Sequence, residues 1–262
     1  MRVTVVGCAG SFPSADSAAS SYLVEVDDDA GRTWRVVLDL GNGALGALQQ
    51  YCDPADVDLF GVSHMHSDHC ADLVVLGVYL KYRPEGSRPA VPVHAPDGAA
   101  ARLAQMAGSD PATGLTGCLD VRPWVEGEPV DVGPLRLEPV GVEHPVPAFG
   151  LRVTGPSEAD PGRRVTFAYT GDTDECAGLG TLATDVDLLL AEAAYLEGRD
   201  DALRGVHLTG RRAGHAATAH GARRLVLTHL VAWNDPAVTL AEARGEYAGP
   251  VELARPGAVY EL

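Results

Sequence analysis

Residues 62–69 read Val-Ser-His-Met-His-Ser-Asp-His, and this run is equipped for metal chemistry. Four side chains of metal-ligating type, His64, His66, Asp68 and His69, fall within six residues. Successive side chains alternate in an extended loop, so His64 and His66 point to one side. Asp68 and His69 are adjacent and face a second point close by. Imidazole and carboxylate suit zinc, and also manganese or iron. Three more such residues stand alone, each closing a run that reads as a strand. His144 follows 140–143, Asp172 follows 168–171 and His229 follows 225–228. A lone His after a strand is ordinarily a turn residue. Seven together are the number that two ions sharing one bridging carboxylate require. Strand ends held by a rigid sheet are where a preorganised site belongs.

The elements that must position these residues are short. Runs 2–6, 21–26, 34–39 and 57–62 read as strands, with Gly, Pro, Ser and Asp clusters between them. Helical patterns cover 44–51, 73–82 and 97–107, with a strand at 91–95. Asp72 stands where a cap for the 73–82 helix is expected. The middle is β-rich, with strands expected at 118–124, 130–132, 135–142, 149–154 and 165–170 and an exposed turn at 156–163. Strands at 188–192, 224–228 and 251–253 then alternate with helices at 209–220 and 240–247. This mixture over one uninterrupted chain predicts an α/β fold, two sheets with helices outside, as a single domain spanning 1–262.

Composition narrows the function. The chain has 262 residues, 20 Lys and Arg against 36 Asp and Glu, and a net charge of −16. A nucleic-acid groove binder shows a basic footprint, and an anionic membrane surface repels such a chain. Hydrophobic residues make up 46%, enough for a core and too many for a disordered acidic segment. The five cysteines are an odd number, widely spaced and without a CxxC, which argues against a disulfide framework or a Cys-rich zinc site. No secretory leader pattern and no long apolar run is visible, so the expected compartment is the cytoplasm.

His-x-His-x-Asp-His, an isolated His, Gly-Asp-Thr and Leu-Thr-His in this order resemble the metallo-β-lactamase superfamily over nearly the whole chain. That resemblance implies a four-layer αββα sandwich of two mixed sheets. It implies two divalent ions, zinc first, with His64, His66 and His144 on one, Asp68, His69 and His229 on the other, and Asp172 bridging. A hydroxide shared by the ions, its pKa near neutrality, is then the nucleophile. Cys70 is not needed as a ligand.

Two further motifs narrow the branch. Glu192 precedes His207-Leu208-Thr209, and the pair is similar to the Glu and His-x-Thr of ribonuclease Z-like phosphodiesterases. By that likeness Glu192 orients His207, and His207 protonates the leaving oxygen, so Asp68, Glu192 and His207 are the expected catalytic residues. Gly7-Cys8-Ala9-Gly10-Ser11, Asp39 with Gly41 and Gly43, Asp68-His69-Cys70-Ala71-Asp72-Leu73, and Phe149-Gly150-Leu151-Arg152 resemble actinobacterial atypical class II cyclic nucleotide phosphodiesterases. Asp72 departs from the wider superfamily, where Gly is common. The implied substrate is a small cyclic nucleotide, 3′,5′-cyclic AMP foremost, with no stable nucleic-acid partner, no membrane and a homodimer by family habit. Alternatives are a ribonuclease Z-like tRNA 3′-end endonuclease and a metallo-hydrolase of another small phosphodiester, a lactone or a thioester. Asp172 follows His144 by only 28 positions, which leaves no room for the long tRNA-clamping arm often placed there. The acidic surface also repels tRNA.

Overall fold

The computed structural model describes residues 1–86, 89–108 and 115–262. Among these, the strands in chain order are β1 (Arg2–Ala9), β2 (Ala18–Ala19), β3 (Ser21–Asp27), β4 (Thr33–Leu38), β5 (Leu59–Gly61), β6 (Val91–Ala95), β7 (Leu119–Pro123), β8 (Val130–Val132), β9 (Leu135–Gly141), β10 (Phe149–Pro156), β11 (Arg164–Tyr169), β12 (Leu188–Glu192), β13 (Leu225–Thr228), β14 (Val251–Leu253) and β15 (Val259–Glu261). The helices are α1 (Ala44–Leu48), α2 (Ser67–Cys70), α3 (Asp72–Tyr82), α4 (Ala99–Ala107), α5 (Ala177–Ala183), α6 (Gly210–Ala219) and α7 (Pro236–Glu246).

Two mixed sheets result. One runs β15-β1-β3-β4-β5-β6-β7, with β2 beside β1; the other runs β14-β13-β12-β11-β10-β9-β8. Strand alternation sorts the side chains into layers. Val36 and Leu38 of β4, Phe167 and Tyr169 of β11, and Leu188 and Leu190 of β12 face the core between the sheets. Their neighbours face outward. Val37 joins α1, α3 and α4 through Leu48, Leu73, Leu76 and Leu103. Ala168, Leu189 and Ala191 join α5, α6 and α7 through Leu179, Ala213 and Ala243. The order helix, sheet, sheet, helix is the expected αββα sandwich. No helix among the described residues is long and apolar enough to cross a membrane.

Several expectations are corrected. Asp72 does not cap its own helix: it is the first residue of α3, and its carboxylate accepts the Leu45 amide of α1 at 2.8 Å. It therefore holds the start of the neighbouring helix. The last long helix begins at 236, because Asp235 accepts the Ala237 amide and Pro236 occupies the first turn, where a missing N–H costs nothing. β2, α5 and β15 carry little periodicity in sequence. The α5 stretch, Ala-Gly-Leu-Gly-Thr-Leu-Ala, holds two glycines, and packing of Leu179 and Leu182 outweighs that poor propensity.

Candidate metal centre

The strands deliver the polar residues to one edge. β4 ends before Asp39, β5 before Ser63 and His64, β11 before Asp172, β12 at Glu192 and β13 before His229. β11, β12 and β13 run parallel, with Glu192 paired to Thr228, so their ends lie side by side. The 62–69 segment is pinned at both ends. The Val62 amide donates to His94 O at 2.7 Å, the Trp124 indole donates to Val62 O at 2.9 Å, and the Leu40 amide donates to His69 O at 2.8 Å. Its extended form holds through His66, whose ψ is 151°. The chain then turns into α2, so Asp68 and His69 stand on one helical turn and not on an extended loop.

Three nitrogens converge on the first point. His66 Nδ1 lies 3.0 Å from His64 Nε2 and 3.2 Å from His144 Nε2. Zinc–nitrogen bonds of about 2.0–2.1 Å in a tetrahedron set nitrogens roughly 3.3 Å apart. Burial pushes the imidazoles of His64, His66 and His144 below their usual range, furthest for His64. Neutral imidazoles offer lone pairs, as ligation requires.

The second group is Asp68, His69, Asp172 and His229, all buried. Asp68 Oδ2 is 3.1 Å from His229 Nε2 and 3.4 Å from His69 Nε2. Asp172 reaches both groups: Oδ1 is 3.2 Å from His69 Nε2, while Oδ2 is 3.4 Å from His229 Nε2 and 3.7 Å from His64 Nε2. His69 Nε2 and Asp172 Oδ1 are buried without hydrogen-bond geometry to any partner. Unpaired buried polar atoms are costly, and a cation between them removes the cost. The donor set therefore fits divalent ions. Burial opposes charge on Asp172, but the imidazoles of His229 and His69 outweigh it and hold the carboxyl well below the usual range.

Residues behind the cluster carry no role that the sequence alone reveals. Asp39 is 1% exposed and its Oδ2 lies 2.7 Å from His69 Nδ1. The same oxygen accepts the Tyr169 hydroxyl at 2.7 Å and the Ser63 hydroxyl at 2.8 Å, and Oδ1 accepts the Ser63 amide at 2.6 Å. A carboxylate behind an imidazole fixes its tautomer and direction. Val206 O does the same for His144, at 2.9 Å from Nδ1. The Asp39-x-Gly41 spacing was the available signal for this: a Cβ on Gly41 would lie 2.0 Å from Asp68 O, so only glycine lets this loop seat against α2. We expect Asp39→Asn to weaken metal affinity by about 10–100-fold, measured by chelator competition, since removing such a partner typically costs that much.

The backbone is strained here. Of four described non-glycine residues with positive φ, three are Ser11, Asp39 and His229. Such residues cluster at sites that over-determine them. The 10–14 loop contributes through Ser11, whose amide lies 3.2 Å from His229 Nε2.

Glu192 and His207 adjoin the cluster. His207 Nδ1 is 2.8 Å from Glu192 Oε1 and 3.8 Å from Asp172 Oδ2. Glu192 is fully buried, and its two oxygens also accept the Thr173 and Ala194 amides, each at 3.0 Å. Burial disfavours the imidazolium, but the Glu192 carboxylate prevails and His207 is pushed up to about 9. The other histidines stand apart: His94 packs on Trp124 at 4.8 Å, and His215 is exposed beside Glu175.

Residues 34–230 match the β-lactamase superfamily domain, and the chain belongs to that family. The fold and family are those of metal-dependent hydrolases. An uncharacterized protein of Mycobacterium leprae is 39% identical over the whole chain and 89% of its own length. The crystal structure of the metallo-β-lactamase fold protein YhfI from Bacillus subtilis superposes with a TM-score of 0.82 at 26% identity, covering 100% of this chain and 98% of that one. A ribonuclease Z of Myxococcus xanthus is 26% identical over 100% of this chain and 98% of its own.

Proposed function

We propose that this metallo-hydrolase is a phosphodiesterase that opens a small cyclic nucleotide, with 3′,5′-cyclic AMP the first candidate. The observation that carries the reading is the Glu192–His207 pair at 2.8 Å beside the clustered ligands. A carboxyl-ester hydrolase has no need of a half-buried, carboxylate-held imidazole there; a phosphodiester with a poor alkoxide leaving group does.

His64, His66 and His144 would hold one divalent ion and Asp68, His69 and His229 a second, with Asp172 touching both. When bound, such ions supply Lewis acidity to phosphate oxygens and acidify water to near neutrality. Glu192 keeps the His207 proton on Nδ1 and the ring in place, so Nε2 faces the reacting phosphate. Water gives up one proton to solvent as its oxygen bonds to phosphorus, the P–O3′ bond breaks, the imidazolium gives its Nε2 proton to the departing ribose oxygen, and a solvent proton restores His207. The same positive group lies beside the phosphate while charge builds on it.

Charge and topology support a small substrate over tRNA. A chain at −16 opposes a polyanion over a Debye length, whereas one phosphate responds mainly to the local positive field. The connection between His144 and Asp172 is the hairpin of β10 and β11, with residues 157–163 as its turn. The second reading, tRNA 3′-end cleavage, is favoured by the likeness to the Myxococcus enzyme.

A substrate panel separates them. Protein loaded with zinc or manganese is offered cyclic AMP, cyclic GMP, bis(p-nitrophenyl) phosphate, a lactone and unprocessed tRNA. The highest kcat/KM should fall on a cyclic nucleotide. Faster cleavage of tRNA or lactone would overturn the reading in favour of that class.

A further inference from the structure

The segment that carries Val206 and His207 is tied down by a buried ion pair outside the ligand cluster. We propose that Asp174 and Arg212 are a positioning pair that sets His207 against the site. The inference rests on His207 being the proton donor.

Asp174 is 1% exposed and Arg212 6%. Asp174 Oδ1 accepts Arg212 Nη1 at 3.2 Å and the Glu175 amide at 2.8 Å. Its Oδ2 accepts the Gly205 amide at 2.8 Å and is ion-paired with Arg204 Nε at 2.9 Å. Its own amide donates to Glu143 O at 3.1 Å. One residue thus grips the segment just before His144 and the segment just before His207. Arg212 completes the grip by donating from Nη1 to His207 O at 3.4 Å. Arg212 is itself fixed: its amide donates to Thr209 Oγ1 at 3.1 Å, and that hydroxyl donates to Glu197 Oε1 at 2.6 Å.

Neither side chain hydrogen-bonds to a side chain of the ligand cluster. A buried ion pair is a poor source of stability compared with apolar packing, so its presence asks for another reason. Position supplies one. Glu192 holds the His207 ring at Nδ1, and the His207 backbone lies in a loop between β12 and α6. Without the pair that loop keeps His207 less well placed, and misplacement by about 1 Å costs roughly 10²-fold in rate.

The test uses the full-length, metal-loaded protein. In Arg212→Ala, Asp174 keeps Arg204 as a partner, so no carboxylate is stranded. We expect kcat on cyclic AMP to fall about 10–100-fold with KM within about twofold and metal content unchanged. Methylguanidinium in the buffer should restore part of kcat. In a His207→Ala background the same substitution should cost almost nothing further, because coupled residues are non-additive. Arg212→Lys, a milder change, should fall in between. Unchanged kcat in Arg212→Ala and Asp174→Asn would overturn the inference while leaving the His207 reading intact. An equal loss with and without His207, or a loss that follows metal content, would overturn it too. A fully active His207→Ala would instead sink the reading beneath it.

Discussion

Asp172→Asn is expected to abolish turnover while leaving the fold intact. The carboxylate is 2% exposed and lies within 3.7 Å of imidazoles from both ligand groups. Asparagine keeps the shape but removes the charge, and turns an acceptor into a donor facing His69 or His229. Ligation needs lone pairs and negative charge at that point. The variant should bind at most one ion per chain by elemental analysis. Lewis-acid stabilisation is worth several kcal/mol, and each 1.36 kcal/mol is tenfold, so the rate should drop by about 10³-fold or more. Folding should survive, because His69 retains Asp39 at 2.7 Å. Two ions per chain and a rate near that of the parent would contradict the ligand assignment.

The second large effect belongs to His207. His207→Ala should keep the ions that the parent binds, since the ring is not among the seven proposed ligands, and lose about 10²–10⁴-fold in kcat, the usual worth of a general acid. The loss should depend on the leaving group. Cyclic AMP expels a ribose alkoxide that needs a proton. A p-nitrophenyl diester expels a stable phenolate, so that substrate should suffer far less. The pH profile carries the sign. Glu192 pushes His207 up to about 9 against the cost of burial, so the imidazolium is present at neutral pH and is lost as pH rises through that value. Cations bound nearby would lower this figure. The parent enzyme should therefore show a basic limb at or below about 9, and His207→Ala should lack it. Equal losses on both substrates would assign His207 a structural part only.

Much of this was legible in the chain because the residues concerned sit at strand ends. The runs before His64, His144, Asp172 and His229 alternate or are wholly apolar, and each stops at a polar residue, so strand and site announce one another. Two sheets with helices outside follow from the same pattern, and the family resemblance supplies the four-layer order. What escaped lay in partners, not in elements. Asp39 reads as an acid in a glycine turn, and nothing in its spacing says that it meets His69 across thirty residues and Tyr169 across a sheet interface. Asp72 reads as a cap for the helix that follows it, yet a chain reversal brings the α1 amide of Leu45 within reach first. Asp174 and Arg212 carry no motif at all; only the fold places the loop after β11 under the first turn of α6. The helical turn at α2 was hidden for another reason. Ser67-Asp68-His69-Cys70 is too short for periodicity, and its helical form is set by the amide of Leu40 docking on His69 O.

The central claim is that residues at one edge of the sandwich bind two ions and, with His207, hydrolyse a cyclic phosphate. Its most direct test is turnover of 3′,5′-cyclic AMP in ¹⁸O-labelled water, with the metal content of the same sample determined. The account predicts two ions per chain and a 5′-phosphate product bearing one ¹⁸O on phosphorus. No turnover of any cyclic nucleotide by fully loaded protein, or product without label on phosphorus, would contradict it.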